Sequence, residues 1–262
     1  MIRALYTAAS GMSAQQLNLD TIANNLANSS TAGFRQTRLQ FQDMLYQNMV
    51  TPGAAQSAQT VSAGLQIGLG TKSAATEVIM TQGDLSQTNN PLDIAIEGAG
   101  FFQVQRPDGT TAYTRAGSFH LNNQGTVVTT AGDLLQPSIT IPPNATAVTI
   151  TQYGQVNATL PGQQNPQQLG QLQLATFANP GGLEAIGGNL FRATLSSGDP
   201  VTDNPGGTQG LGQVQQGYLE GSNVDVVSEF VEMVLAQRAY ESNSKVIKAA
   251  DDMYSQVNNM SR

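Results

Sequence analysis

Residues 4–28 read ALYTAASGMSAQQLNLDTIANNLAN. Leu5, Ala8, Met12, Gln15, Leu19, Ile22 and Leu26 step by three and four, the heptad seam of a helix with one polar intrusion at Gln15. Leu17, Ala23 and Ala27 widen the apolar stripe beyond that seam. Between Ala4 and Phe34 the only charge is Asp20. A helix facing bulk water usually carries Glu and Lys. This one carries Gln, Asn, Ser and Thr, which cost less to desolvate than charges provided they find hydrogen bonds. The pattern implies a helix packed on several sides, with Gly33 as the expected stop.

The far end of the chain answers it. Over residues 224–260, Met233, Ala236, Tyr240, Asn243, Ile247, Ala250, Tyr254 and Val257 again step by three and four. Glu229, Glu232, Arg238, Glu241, Lys245, Lys248, Asp251 and Asp252 accompany them, and Glu241 and Lys245 have the favourable i,i+4 spacing. One face of this helix is therefore expected to meet water. Isolated helices of such length are weak in water. Either the two pair within one chain and cap its middle, or they fold against other copies as subunits stack; the near absence of charge on the first favours stacking.

Between the helices lie two further parts. Residues 35–75 lack a clear period, and a stretch of that length is too long for an ordinary loop. A flexible linker or an extended arm that gains its contacts from partners would account for it; Leu65, Ile67 and Leu69 alternate within GLQIGLG, Gly64–Gly70, so that end suits a short strand. Residues 76–221 read as β-structure. Leu92, Ile94 and Ile96 alternate with Asp93, Ala95 and Glu97, the pattern of a half-buried strand. Hairpins are expected around Pro107-Asp108-Gly109 and Asn122–Gly125. Later strand candidates are 138–141, 147–151 and 172–177, with Gly-rich loops at 179–189 and 203–212. The fold class is thus α+β: long terminal helices in a coiled-coil-like layer (1–34 with 222–262), an extended arm (35–75) and a central all-β domain (76–221).

Composition excludes much chemistry. Charged residues make up 11% of the 262 residues, against roughly 25% in an ordinary soluble domain. The 29 glutamines equal Asp, Glu, Lys and Arg together, so the surface is wetted by amides and hydroxyls or covered by other copies. A net charge of −7 without a basic cluster argues against a nucleic-acid partner. Cysteine is absent, and His120, the only histidine, sits in a strand pointing away from Phe119 and Leu121. Neither thiolate nor His-rich metal chemistry is expected. The Gly98-Ala99-Gly100 turn leads into Phe101-Phe102 rather than a helix, so no dinucleotide site is read there. Asp93 and Glu97 share a strand face roughly 13 Å apart, too far for a glycosidase pair. No catalytic, cofactor or metal site emerges. No apolar run is long enough to span a membrane, and the N-terminus lacks the apolar core of a cleaved signal peptide.

Four blocks in order resemble the axial proteins of the bacterial flagellum, the rod and hook family. They are TAASGMSAQQLNLDTIANNLANSSTAGFRQ (7–36), LDIAIEGAGFFQV (92–104), YTRAGSFHLNNQGTVVTTAGDLLQ (113–136) and QGYLEGSNVDVVSEFVEMVLAQRAYESNSKVIKAADDMY (216–254). The likeness runs from end to end. At 262 residues the chain has no room for the large outer domain of hook proteins, and its 46–70 segment is similar to the arm of distal-rod members; a proximal-rod or hook-type paralogue is the alternative, and a monomeric β-domain cell-wall enzyme, for which the sequence offers no acid, base or metal set, is the competing class. The resemblance implies a non-enzymatic helical polymer without cofactors, an inner tube of terminal helices around an export channel, and a drive shaft carrying torque from motor to hook. It further implies a rod crossing the periplasm, built from subunits exported unfolded by the flagellar type III apparatus. Implied partners are other copies, proximal rod proteins, the hook protein and the outer-membrane and peptidoglycan ring proteins, with no membrane insertion. Leu5, Met12, Leu19, Ile22, Leu26, Met233, Tyr240, Ile247 and Tyr254 are the expected subunit-interface residues, with Leu19, Ile22 and Leu26 against Met233, Tyr240 and Ile247. Gly64, Leu65, Ile67, Gly68, Leu69 and Gly70 mark the rod-specific arm.

Overall fold

A computed structural model describes residues 2–50, 55–56, 59–60, 64–162, 165–207 and 210–260. The plain Ala/Gln/Ser/Thr middle of the arm lies mostly outside them. The chain forms two compact units, one from Met1–Ala27, Thr37–Glu77 and Asp225–Arg262, the other from Asn28–Gln36 and Val78–Val224. Its class is α+β.

In the first unit, helix α1 (Ile2–Ala27) packs against helix α2 (Val226–Met260). Two contacts fix their register. A Cβ on Gly11 would lie 2.9 Å from Asn243 Nδ2, and Asn25 Nδ2 donates to Glu229 Oε1 at 3.2 Å. Moving from residue 11 to 25 along α1 thus moves from 243 back to 229 along α2. The helices are antiparallel and keep step for about 21 Å at ~1.5 Å per residue. Small residues allow the close approach: Ala8, Ala14, Ala236 and Ala250 are buried, with Ile22 the one large side chain among them.

The arm is a β-ribbon. Thr37–Asp43 pairs with Thr71–Val78, and Tyr46–Val50 pairs antiparallel with Leu65–Gly68, setting Gln47 opposite Ile67. The expected strand at Leu65 is present. The rest of the ribbon escaped the sequence reading because neither face is buried, so no alternation of apolar and polar residues marks it.

The second unit is antiparallel throughout its registered pairs. Its largest sheet runs in the order Phe119–Leu121, Val127–Thr129, Leu134–Gln136, Phe101–Gln105, Thr111–Thr114, Leu190–Arg192, Glu184–Gly187. Leu174–Thr176 also pairs with Phe101–Gln105. A three-stranded sheet joins Ala147–Ile150, Gln155–Thr159 and Gln167–Gln171, and Ile94–Glu97 pairs with Gln213–Gln216. Successive residues of a strand face opposite sides, so Phe101 and Phe102 serve two cores. Phe102 meets Phe119 edge-to-face at 5.2 Å beside Ile94, Ile96 and Leu135. Phe101 joins Tyr113, Phe177 and Phe191.

Both expected hairpins form. Gly109, at φ +81°, closes the turn between Gln105 and Thr111, and Asn122 Oδ1 accepts the N–H groups of Gln124 and Thr126 in the other. Four readings need correction. Helix α1 stops at Ala27, six residues before Gly33, as Asn28 starts a turn whose carbonyl accepts the Thr31 N–H at 3.1 Å. Residues 94–96 are buried on both faces, Ala95 included. Residues 138–141 supply only a single bridge, Thr126 to Thr140. The Gly-rich 179–189 segment contains the strand Glu184–Gly187.

Candidate functional site

In α2 the residues facing α1 are Glu229, Met233, Ala236, Asn243, Ile247 and Ala250, all buried or half-buried. Sequence periodicity found that seam. It missed a second stripe on the same helix: Val227, Phe230, Val231, Val234 and Leu235, at i, i+3, i+4, i+7 and i+8, all exposed. Phe230, Val231, Val234 and Leu235, with Arg238, line an open groove of about 400 Å³. The first turns of α2 therefore present apolar side chains to solvent beside the charged ones. The expected water-facing surface is present, with Glu232, Arg238, Glu241, Lys245, Lys248, Asp251 and Asp252 all exposed. The spacing of the second stripe was legible, but a single heptad phase absorbs only one.

The expected interface residues divide. Leu5, Met12, Leu19 and Leu26 are half-buried and Ile22 is buried, as are Met233 and Ile247 in part. Tyr240 and Tyr254 are 39% and 37% exposed. The register sets Ile22 beside the turn of Met233, whereas Tyr240 and Ile247 stand level with Ala14 and Ala8. Tyr254 and the two turns after it run past the start of α1; Val257 and Met260 are exposed there.

The ribbon is laced to α1 at two points. The Asn25 carboxamide accepts the Thr37 N–H at 3.0 Å and donates to the Thr37 carbonyl at 2.8 Å, acting as a strand partner. Ser10 Oγ accepts the Thr71 N–H at 3.4 Å. The fifteen residues from Ser10 to Asn25 span about 22 Å of helix, and the seven from Thr37 to Met44 about 23 Å of strand, so the strands lie along the helix without strain. Gly70, at φ +116°, brings the backbone so close to Ser10 that a side chain has no room. Beyond that point Leu45, Tyr46, Met49, Leu65, Ile67, Gly68 and Leu69 are exposed, with Gly64 and Gly70 half-buried. A two-stranded ribbon is marginal alone in water, and here its apolar side chains have no core to enter.

The second unit holds a buried ion cluster. Arg35 Nη2 is 2.6 Å from Glu220 Oε1 and Arg115 Nη1 is 3.4 Å from Glu220 Oε2, with all three side chains at most 5% exposed. Two guanidiniums against one carboxylate leave an excess positive charge. Arg115 spreads it over the Gly98 carbonyl at 2.6 Å, the Ile96 carbonyl at 3.4 Å and the face of Phe101 at 5.6 Å. Burial, opposed by Glu220 and assisted by Arg35, lowers the Arg115 pKa to about 10. Glu220 Oε1 also accepts the Gly83 N–H at 3.0 Å. Asn223 works alongside, accepting the Gln36 N–H at 2.7 Å and donating to the Ile79 and Thr81 carbonyls. Each of the four sequence blocks thus contributes to one node: Arg35, the 96–101 backbone and ring, Arg115, and Glu220. Charges standing in a charge-poor chain were the available signal.

Among the described residues no cluster of His, Cys, Asp or Glu could hold a metal ion, and no helix is long and apolar enough to cross a membrane. Residues 5–35 match the flagella basal body rod protein family, 95–158 the D1 domain of the flagellar hook protein FlgE/F/G, and 215–260 the C-terminal region of the flagellar basal body rod FlgEFG proteins. The flagellar basal-body rod protein FlgG of Caulobacter vibrioides is 51% identical over 96% of this chain and 97% of its own. The chain belongs to the flagellar basal-body rod protein family. That of Agrobacterium fabrum is 48% identical over 98% of both chains. A relative named FlgF, also from Caulobacter vibrioides, is 35% identical over 94% of this chain, so within the basal-body rod family the chain is most like FlgG, the distal-rod protein. Basal-body rod proteins are structural subunits and not enzymes. The three matched regions are those that meet in the ion cluster and the helix pair.

Proposed function

We propose that this distal-rod subunit polymerises into a rigid tube through its terminal helices. The observation that carries the reading is the stripe Val227, Phe230, Val231, Val234 and Leu235, left open on a helix whose other apolar face is already closed by α1. A helix with two apolar faces needs two neighbours. Other copies supply the second one, and the helices line a channel while the ribbon braces adjacent subunits and stiffens the shaft. Leu5, Met12, Leu19, Ile22, Leu26, Met233, Tyr240, Ile247 and Tyr254 contribute to this layer, and Gly64–Gly70 to the brace. The rod so built crosses the periplasm and carries torque from motor to hook. Its further partners are proximal rod proteins, the hook protein, the outer-membrane and peptidoglycan rings, and the type III export apparatus, through which the subunit passes unfolded.

Substitution of Phe230 by Asp tests the reading. Because Phe230 is exposed, helical circular dichroism stays at the wild-type level while sedimentable polymer disappears. A Phe230→Asp protein that assembles normally would remove α2's open face from the mechanism.

A further inference from the structure

Among the described residues of the two helices, Asn25 and Glu229 are the only buried polar side chains, at 2% and 1% exposed. Asparagine is a poor residue for a helix interior, where alanine or leucine costs less. Its partners account for it here. A carboxamide offers two N–H donors and one carbonyl oxygen. Asn25 Oδ1 accepts the Thr37 N–H at 3.0 Å, and Nδ2 divides its donors between the Thr37 carbonyl at 2.8 Å and Glu229 Oε1 at 3.2 Å. One side chain of α1 thus holds the first strand residue of the ribbon and the first turn of α2.

The ribbon bonds require one orientation of that carboxamide. Turned over, it sets Oδ1 against the Thr37 carbonyl and its NH2 group against the Thr37 N–H, two repulsions in place of two bonds. Glu229 enforces the productive orientation from the far side. Its carboxylate takes a charge-assisted bond from Nδ2, and in the turned-over state it faces an oxygen instead. The first turn of α2 suits a buried carboxylate, because the free N–H groups there make the positive end of the helix. The Glu229 backbone is fixed as well, its N–H donating to the Asp225 carbonyl at 3.0 Å.

We infer that the Asn25 carboxamide couples the docking of α2 to the docking of the ribbon, with Glu229 as its positioning residue. When α2 closes on α1, Glu229 holds the carboxamide where it pairs Thr37. When α2 opens, the carboxamide turns to water and this end of the ribbon loosens. Coupling is reciprocal, so a docked ribbon strengthens the hold of α2 on α1 by the same factor. The other lacing point carries no such link: Ser10 Oγ accepts the Thr71 N–H and donates to the Thr7 carbonyl of its own helix. A copy of this chain therefore presents a fully ordered ribbon only with its helix pair closed. The inference concerns one folded copy, and its failure would leave the proposed polymer untouched.

Amide hydrogen exchange resolved at Thr37, Thr71 and Ala236 tests this in the full-length chain, in Asn25→Leu, in Glu229→Leu and in the double variant. Asn25→Leu and Glu229→Leu are each expected to speed Thr37 exchange about tenfold or more, while Thr71 and Ala236 keep their rates. The double variant exchanges Thr37 no faster than Asn25→Leu alone, because Glu229 acts through Asn25. Glu229→Gln keeps an acceptor oxygen and restores most of the protection, which a role confined to filling the seam does not predict. If Glu229→Leu leaves Thr37 at the unsubstituted rate, or if the two single effects multiply in the double variant, the inference is overturned. Should Glu229→Leu unfold α2, seen as lost helical dichroism, Thr37→Pro decides alone: it deletes the N–H donor at the first residue of a strand, where proline is tolerated. Faster exchange at Phe230 is then expected, and an unchanged rate overturns the coupling.

Discussion

Glu220 lies between two guanidiniums that have left water, and its removal exposes their mutual repulsion. Breaking such a buried pair from one side costs about 3–5 kcal/mol. Glu220→Gln is accordingly expected to lower the urea midpoint sharply, and replacing Arg35 and Glu220 together by Met to cost less than Glu220→Gln alone. An equilibrium urea titration of the three proteins measures this. Gly33 is a second sensitive position. It holds φ +70°, and a Cβ there would stand 2.5 Å from the Ala116 amide nitrogen. Because the neighbour is backbone, Gly33→Ala is expected to destabilise by more than about 1 kcal/mol in the same assay. Asp225 illustrates a pH effect. The Ser228 hydroxyl at 2.7 Å and the Val227 N–H at 3.0 Å hold its carboxyl below the ordinary value of 3.8. The depressed pKa means that its contribution is present above that value and is lost as pH falls through the folded pKa. The melting-temperature gap between wild type and Asp225→Ala should be full near neutrality and close in acid. The roles of Glu220 and Gly33 were not visible in the sequence, since one depends on partners far along the chain and the other on a backbone angle, whereas Asp225 bonds to residues two and three positions on and its role was local.

At the scale of elements, the two α2 stripes differ in burial, and under the proposed assembly one serves folding and the other polymerisation. Ile22, 2% exposed and in the level of Met233, belongs to the closed seam; Ile22→Asp buries a charge and should cost about 4 kcal/mol or more, with loss of helical dichroism. Phe230→Asp should leave that signal intact. The helices were the most legible part of the chain, because a core on one side of a long helix writes a period of three and four into it. Their antiparallel register was not, since any sliding of two heptads by a whole repeat fits the same pattern; Gly11 against Asn243 and Asn25 against Glu229 decide it. The ribbon was illegible for the opposite reason. It buries neither face, so Phe41, Met44, Leu45, Tyr46 and Met49 follow no alternation that one chain could explain. Under the proposed assembly, these exposed side chains are the ones that would contact other copies. Deleting residues 46–63 is expected to yield curved or flexible polymers in electron micrographs, where the full chain gives straight ones.

Across the whole molecule, the β-rich unit is not one continuous piece of chain. Residues 28–36 complete it: Arg35 reaches Glu220, the Ala32 carbonyl accepts from Asn189, and Gln36 bonds to Asn223 and Ile79. The hairpins around Gly109 and Gly125 were plain in the sequence because turn chemistry is local, while this closure by a distant segment left only lone charges and amides to hint at it. The central claim is that copies of this chain complete one another's terminal helices. Electron microscopy of the purified full-length protein, alone and seeded with isolated rod stubs, tests it most directly. Straight tubes growing from the stubs, with helices lining the lumen, are the predicted result. Monomers that remain dispersed at every concentration, stubs present, with Phe230 and Leu235 still exposed to solvent, would contradict it.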